Sequence, residues 1–209
     1  MLVYVENGVA MAFDRGSAAW TFDLDWWGVC GQGVDEEAAL AELTRQVGEG
    51  LVVAERIEGD EGLFARDRLP CTEAGRQRTL AILAEVRADT IALVRACSDE
   101  VLDWDDPERQ LPTYARWRTI RQLAWHVVDT ESRYYLPSTG LGYREPLPNL
   151  VDELEASAGH VRSTIATMPP DAASTGWSAV KLLRRLAWHE RGELEVMRAI
   201  SRGHPAAGR

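Results

Sequence analysis

A stripe of apolar residues between positions 147 and 168 constrains the fold of this chain more than any other feature. The intervals alternate between four and three positions, which is the spacing of one face of an amphipathic helix. The stripe consists of Leu147, Val151, Leu154, Ala158, Val161, Ile165 and Met168. Pro169 and Pro170 end the pattern, because proline removes a helical hydrogen bond. We therefore expect a helix with one face to bury.

Three other segments are predicted to be helices of the same kind. In chain order, the first helix of the four begins at Thr72, and the second begins at Thr119 and ends near Pro137. The stripe at 147–168 belongs to the third helix, and the fourth spans about 178–201. Thr119 and Gln122 have the spacing of a capping box, which marks the start of a helix. The stripe that follows Thr72 comprises Leu83, Val86, Thr90, Leu93 and Cys97. Because such stripes are buried most simply against one another, we expect a four-helix bundle.

The N-terminal part has the patterns of strands. Residues 2–6 and 9–13 are rich in Val, Tyr, Met and Phe, and they flank Asn7-Gly8, a dipeptide that favours a tight hairpin turn. Residues 20–25 alternate apolar and polar side chains, as a half-buried strand does. These segments predict a hairpin and a further strand.

A helix and a last strand are predicted to complete this part. Asp35 is a suitable N-cap, and the acidic residues Glu36 and Glu37 favour the first turn of a helix that runs to about Val47. Residues 51–57 have the composition of another strand.

Together these patterns predict an α+β fold class, with a small antiparallel sheet and one helix followed by an all-α four-helix bundle. The expected divisions are a strand-and-helix module at 1–60, a linker at 61–71, the bundle at 72–202 and a flexible tail at 203–209.

Charge and cysteine content argue against several classes of function. The 209 residues have a formal net charge of -10, which would repel a phosphate backbone, so we expect no nucleic-acid partner. The three cysteines include no CxxC pair, which argues against a zinc knuckle and a disulfide framework and favours a reducing cytoplasm. Membrane insertion is not expected, because no apolar stretch approaches the roughly 20 residues that a membrane helix needs.

The predicted second and fourth helices of the bundle contain an internal echo. Residues 121–126 are Arg-Gln-Leu-Ala-Trp-His, and residues 184–189 repeat them except for arginine at the second position. The echo suggests that two helices present equivalent groups to one shared centre. His189 and Glu193 lie one turn apart within an apolar stripe, and His126 lies on the apolar side of its own helix. All three are expected to point inward.

A metal ion would account for a carboxylate at position 193. A buried carboxylate without a partner costs several kcal/mol, and a cation removes that cost. His126, His189 and Glu193 would leave open coordination positions and would suit Zn, Ni or Fe better than Mg or Ca. Glu131 and Glu190 are candidates for further ligands or for groups that hold the ligands.

The residues alone are also compatible with a centre that holds no metal. The histidines could be hydrogen-bonded polar residues near the core. Glu193 could instead pair with an arginine, the candidates being Arg133, Arg185 and Arg191. The tryptophans could line a pocket or fill the core; those concerned are Trp26, Trp27, Trp104, Trp117, Trp125, Trp177 and Trp188. His160 and His204 are expected to be solvated.

Three motifs in the predicted bundle support a family resemblance. They are Trp117-Arg118-Thr119-Ile120, the segment 124–132 (Ala-Trp-His-Val-Val-Asp-Thr-Glu-Ser) and Ala187-Trp188-His189. Through them, residues 72–202 resemble the DinB-like superfamily, which includes thiol-dependent metal enzymes related to bacillithiol transferases and mycothiol-dependent maleylpyruvate isomerase.

The DinB-like resemblance implies a set of metal ligands. In that family one histidine of the second helix and an H-x-x-x-H pair of the last helix hold the metal, which implies His126, His189 and position 193. Position 193 is glutamate here. This departure leaves either a two-histidine, one-carboxylate site or a site that has lost its metal.

Residues 20–33, with their closing glycines, are followed by the acidic helix start Asp35-Glu36-Glu37-Ala38-Ala39-Leu40. Through these residues the segment 1–60 resembles the HicB-like antitoxin fold. No DNA-binding segment accompanies the motif, so antitoxin activity does not follow from the fold.

These observations support competing hypotheses about function. In the first, the chain is a metal-dependent enzyme that transfers a low-molecular-weight thiol to a small-molecule substrate, or catalyses a related isomerisation or hydrolysis, because the metal lowers the pKa of a bound thiol or water. In the second, the bundle is a degenerate scaffold and the HicB-like module binds or regulates a partner protein. A third is a tryptophan-lined pocket for a small acidic or aromatic metabolite. We expect a homodimer.

Overall fold

The computed structural model describes residues 1–59, 62–113 and 115–205. Within these ranges the chain has the predicted α+β class, with a small sheet followed by a mostly helical region. The sheet region comprises β1 Leu2–Val9, β2 Gly16–Thr21, β3 Cys30–Gly33, α1 Glu36–Val47 and β4 Val52–Glu58. The helical region comprises α2 Glu73–Ala96, α3 Asp99–Leu102, α4 Ile120–Asp129, α5 Leu136–Ser138, α6 Leu150–Thr167, β5 Ala173–Ser174, β6 Trp177–Ser178 and α7 Ala179–Gly203. The predicted boundary at 60–61 and residues 206–209 of the predicted tail lie outside the described residues.

The sheet is mixed, and the prediction of a wholly antiparallel sheet was wrong. Its order is β3-β2-β1-β4, in which the β1–β2 and β2–β3 pairs are antiparallel and the β1–β4 pair is parallel. The reason is α1, which connects β3 to β4 and returns the chain so that β4 runs in the same direction as β1.

The predicted hairpin turn at Asn7-Gly8 was also wrong. Both residues lie within β1, where Gly8 has a φ of 71° and the pairing with β2 shifts between Asn7 and Val9. The glycine therefore serves a β-bulge, and the turn between the strands occupies residues 10–15. The strand predicted at 20–25 corresponds to β2, which ends at Thr21. Its residues are all buried, so the predicted half-buried pattern was wrong.

Side-chain capping places the predicted helix starts correctly. The Asp35 carboxylate accepts a hydrogen bond from the backbone of Ala38, and α1 ends at Val47 as expected. Thr119 and Gln122 form the predicted capping box of α4. Thr72 and Ser178 cap α2 and α7 with their hydroxyl oxygens, which accept from the backbone N–H groups three positions further on. The exception is α6, which begins after Asn149, so that Leu147 of the predicted stripe precedes the helix and is 40% exposed.

The second long helix contains a change of helical type. Between α4 and α5 the segment Thr130–Tyr135 is π-helical, and the three together reach Ser138, close to the predicted end at Pro137. A π-helix closes its hydrogen bonds one residue later than an α-helix and is often found at functional sites.

The sheet packs against α7 through a buried ionic cluster. Arg184, fully buried, lies 3.0 Å from a carboxylate oxygen of Glu6 on β1 and 2.9 Å from one of Asp67. The Trp20 indole donates to Glu6, and its ring meets that of Trp188 edge to face, with centroids 5.7 Å apart. The β1–β2 strands and the last helix are therefore held together by charge and by aromatic packing.

The stretch predicted as a linker contributes to this contact. Phe64 and Asp67 have no exposed surface, and Asp67 belongs to a short 3₁₀ helix, Arg66–Arg68. Whether 1–60 and 72–202 are separate domains stays a prediction.

Two further properties bear on the environment of the chain. In the described part of the chain, no helix combines the length and apolar character that membrane crossing requires. Cys30, Cys71 and Cys97 are all free thiols.

Candidate metal centre

Three predicted residues converge at one point between α4 and α7. The Nε2 atoms of His126 and His189 lie 3.3 Å apart, and each lies 3.9 Å from Oε1 of Glu193. These ligand atoms all lie within 4.8 Å of one another. The internal echo thus corresponds to two imidazoles that face each other, and the one-turn spacing on α7 adds the carboxylate.

The opposite nitrogen of each imidazole has its own partner. Nδ1 of His126 lies 3.1 Å from the Thr130 hydroxyl, and Nδ1 of His189 lies 3.5 Å from a carboxylate oxygen of Glu131. Trp117 stacks on His126, with ring centroids 3.5 Å apart. These contacts fix the ring orientations and direct both Nε2 atoms at the common point, which is how ligand histidines are usually held.

Glu131 also belongs to a buried cluster around Arg87. The Arg87 Nη2 atom lies 2.8 Å from Glu131 and 2.5 Å from Glu190. Burial raises the pKa of both carboxyl groups, to about 7 each, although Arg87 opposes the shift. Among the two predicted additional ligands, Glu190 pairs with Arg87, whereas Glu131 contacts both Arg87 and His189.

The two imidazoles are neutral at neutral pH. Burial, together with the nearby His189, lowers the pKa of His126 to about 3. Burial likewise lowers the pKa of His189. Burial raises the pKa of Glu193, which His189 and Arg109 partly oppose. Neutral imidazole is the form that binds a metal, and a carboxylate made costly by burial gains from a cation.

A cavity of about 930 Å³ opens onto this centre. The three ligand candidates line it, and so do Trp117, Trp177 and Trp188. The far wall comes from the sheet region, where the 10–12 turn and Gln32 line the same space. The cavity therefore lies between the sheet and the helices.

The alternative partners suggested for Glu193 have other contacts. Arg133 pairs with Asp129 and Glu153. Arg185 pairs with Glu6, and Arg191 donates to the carbonyl oxygen of Trp27.

The remaining histidines and tryptophans divide between surface and core. His204 is 7% exposed, so the prediction that it is solvated was wrong: its ring packs edge to face on Trp104. His160 is partly exposed, and its Nε2 lies 3.1 Å from the carbonyl oxygen of Gly142. Trp27 is a core residue whose indole donates to Thr79.

Comparison with known proteins identifies the family. The model of the DinB superfamily matches residues 82–197, more than half of the chain. The chain belongs to the DinB superfamily. The matched range includes all three ligand candidates of this DinB chain, and the N-terminal sheet lies outside it. Comparison with curated proteins and with solved structures found no match.

Sequence reasoning missed several residues that shape the site. Thr130 follows His126 by one helical turn, so its contact was within reach of periodicity. Arg87 gave no such signal, because Glu131 and Glu190 come from other elements. Arg109 gave none because it lies in an irregular loop, where no periodicity indicates which way a side chain points.

Proposed function

We propose that the chain is a divalent-metal-dependent enzyme of the DinB superfamily, with His126, His189 and Glu193 as the metal ligands. The reaction class that we infer is transfer of a low-molecular-weight thiol to a small-molecule substrate, or a related isomerisation or hydrolysis. The convergence of two imidazole nitrogens and one carboxylate oxygen within 4.8 Å, at the wall of a cavity, carries this proposal.

The spacing of the donor atoms fits a metal. Ligands about 2.1 Å from a shared tetrahedral centre lie roughly 3.4 Å apart, and the observed separations are 3.3 and 3.9 Å. Two imidazoles and one carboxylate suit Zn, Ni or Fe and leave a coordination position for a ligand from the cavity. A metal bound there would lower the pKa of a thiol or water and so supply a nucleophile near neutral pH.

The surrounding residues have separate roles in this proposal. Thr130 and Glu131 orient the imidazoles. Trp117 covers one face of His126 and limits the access of water to it. The sheet region closes the cavity opposite the ligands, which gives the N-terminal part a role in shaping the substrate site.

A second candidate function is a non-catalytic binding or regulatory protein. The observation in its favour is the 3.3 Å separation of the two Nε2 atoms, which is also the distance of a direct hydrogen bond between two imidazoles. In that case the N-terminal module, which we propose to be HicB-like, would carry the interaction with a partner protein.

Metal analysis of protein purified without chelator separates the two functions. We expect about one Zn, Ni or Fe per chain, and an increase in stability of about 2.7 kcal/mol when free metal exceeds its Kd a hundredfold. H126A, H189A and E193Q should lose the metal, whereas H160A, which removes a histidine outside the centre, should keep it. Absence of stoichiometric metal together with an unchanged melting temperature would rule out the enzyme proposal.

Several finer features belong to the same proposal. We infer a four-helix bundle of the DinB type for residues 72–202 and a homodimer in solution, which light scattering would test. The three free thiols support a reducing, cytoplasmic location.

A further inference from the structure

The cavity is rich in cationic side chains, although the chain as a whole has a formal net charge of -10. Arg109, Arg133, Lys181 and Arg185 line it together with the metal-centre residues. A cationic side chain is available to a ligand only if no carboxylate of the protein already neutralises it.

Two of these arginines are neutralised by the protein itself. Arg185 lies 2.7 Å from a carboxylate oxygen of Glu6, and Arg133 lies 3.0 Å from Glu153 and 2.5 Å from Asp129. Their charges serve to hold the sheet and the helices in place.

Arg109 is held differently. Its Nη1 atom donates to the carbonyl oxygens of Trp117 and Arg118, at 3.0 and 3.1 Å. Within the ranges that the structure describes, its Nε and Nη2 atoms have no hydrogen-bond acceptor, and the guanidinium forms no ion pair with a carboxylate. Because Arg109 lines the cavity, a half-buried, oriented guanidinium with one edge free of a protein partner lies at the cavity wall.

The position of Arg109 links it to the candidate metal centre. Trp117, whose carbonyl oxygen fixes the guanidinium, is the residue that stacks on His126. Burial lowers the pKa of Arg109, and the negative charge of Glu193 partly opposes this shift. A bound anion would compensate the same burial.

We propose that the Nε–Nη2 edge of Arg109 binds the carboxylate group of a small organic acid, which is the substrate class of this cavity. The proposal rests on the proposed function insofar as it calls the ligand a substrate. Two parallel N–H groups match the two oxygens of a carboxylate. A phosphate fits less well, because a tetrahedral dianion needs donors on further sides. Arg133 and Arg185 are already paired, and Lys181 donates to the carbonyl oxygens of Gly62 and Gly176. A cavity of about 930 Å³ accommodates the rest of such a molecule.

Ligand binding to metal-free protein tests the proposal. Quenching of tryptophan fluorescence would be titrated with pyruvate, succinate and glutarate, with neutral succinamide, and with inorganic phosphate, on chelator-treated protein. We expect saturable binding of at least one carboxylate, weakened about tenfold or more in R109Q and less in R109K, which keeps the charge but loses the planar fork. R116Q is the matched control, because Arg116 lies exposed in the same loop and does not line the cavity.

Each result has a defined meaning. The assignment would be overturned if R109Q kept the carboxylate affinity of the wild type, or if succinamide bound as tightly as the carboxylates. It would also be overturned if phosphate bound more tightly than every carboxylate, or if no ligand bound saturably. Circular dichroism and the melting temperature must match between R109Q and R116Q. The titration uses metal-free protein, so its result does not depend on the metal analysis. If carboxylate binding depends on Arg109 but the natively purified protein contains no stoichiometric metal, the proposed metal-dependent function is overturned and the role of Arg109 is not.

Discussion

The carboxylate of Glu6 lies 3.0 Å from the guanidinium of Arg184, across 178 positions of the sequence. Both side chains are fully buried, and Arg184 also pairs with Asp67. Arg185, the next residue, pairs with the second oxygen of Glu6 and lines the cavity. The first strand is therefore tied to the helix that carries His189 and Glu193.

Removal of the Glu6 charge is expected to destabilise the protein strongly. E6Q leaves two buried guanidinium groups with one counter-charge fewer, and we expect the free energy of unfolding to fall by about 3 kcal/mol, measured by urea denaturation. E36Q is the control, because Glu36 pairs with exposed Arg56 on the surface of the same region and should have a much smaller effect. A loss in E6Q as small as that expected for E36Q would show that the buried cluster is unimportant for stability.

Glu6 should also impose a pH dependence. Burial alone raises its pKa, but Arg185 and Arg184 outweigh burial, so the pKa in the folded protein is below its usual value. A lowered folded pKa contributes stability that is present above the unfolded pKa of about 4.3 and is lost as pH falls through the folded pKa. The free energy of unfolding should therefore decrease from about pH 5 towards pH 3, and E6Q should flatten this decrease. An equally steep profile in E6Q would assign the effect to other carboxylates.

Gly28 is expected to tolerate no side chain, because it meets α7. A Cβ atom at this position would lie 2.6 Å from that of Ala187, and the φ of Gly28 is 78°. We expect G28A to lower the free energy of unfolding by about 2–4 kcal/mol. Gly140 has nearly the same φ of 79° with nothing within 4 Å of the added atom, so G140A should cost only about 1 kcal/mol. If both variants melt alike, the close approach to Ala187 does not limit packing.

Thr130 should affect metal affinity more than stability. T130V removes the hydroxyl that faces Nδ1 of His126, and we expect zinc affinity to fall about tenfold, measured by competition with a chelating dye. T167V makes the same change where the hydroxyl donates to a carbonyl oxygen on the exposed side of α6, and it should bind zinc as the wild type does. Wild-type affinity in T130V would exclude an orienting role.

Either a carboxylate or an imidazole at position 193 should bind the metal. E193H places an imidazole where the DinB-like resemblance implies one, so we expect stoichiometric zinc in E193H and its loss in E193L, which has no donor atom. Loss of zinc in E193H, or its retention in E193L, would indicate that position 193 is not a ligand.

Local contacts determine how much of the fold was predictable. Asp35, Thr72 and Thr119 cap helices through contacts within three positions, so the starts of α1, α2 and α4 follow from sequence. The parallel pairing of β4 depends on how α1 packs, which no local pattern specifies. Asn7-Gly8 was misassigned because the same φ suits a turn and a bulge.

In the candidate site, too, local patterns were predictable and contacts between separate elements were not. Helical periodicity placed His189 and Glu193 on one face, and the echo indicated that His126 would meet them. Arg87 lies on α2 among residues that face the core, and its partners Glu131 and Glu190 come from two other helical segments. Contacts of this kind arise only when helices dock, so periodicity within one helix cannot identify them.

The wide helical turn at Thr130–Tyr135 holds one residue more than an α-helical turn does, because its hydrogen bonds close one residue later. Deletion of one residue here would leave an ordinary α-helical turn, and the helix beyond it would stay in register with His126. The side chains within the turn would change direction, and they include Glu131 and Tyr135, whose ring centroid lies 5.6 Å from that of His189. Homologous chains without the extra residue should therefore keep the path of this helix but surround the imidazoles with differently directed side chains.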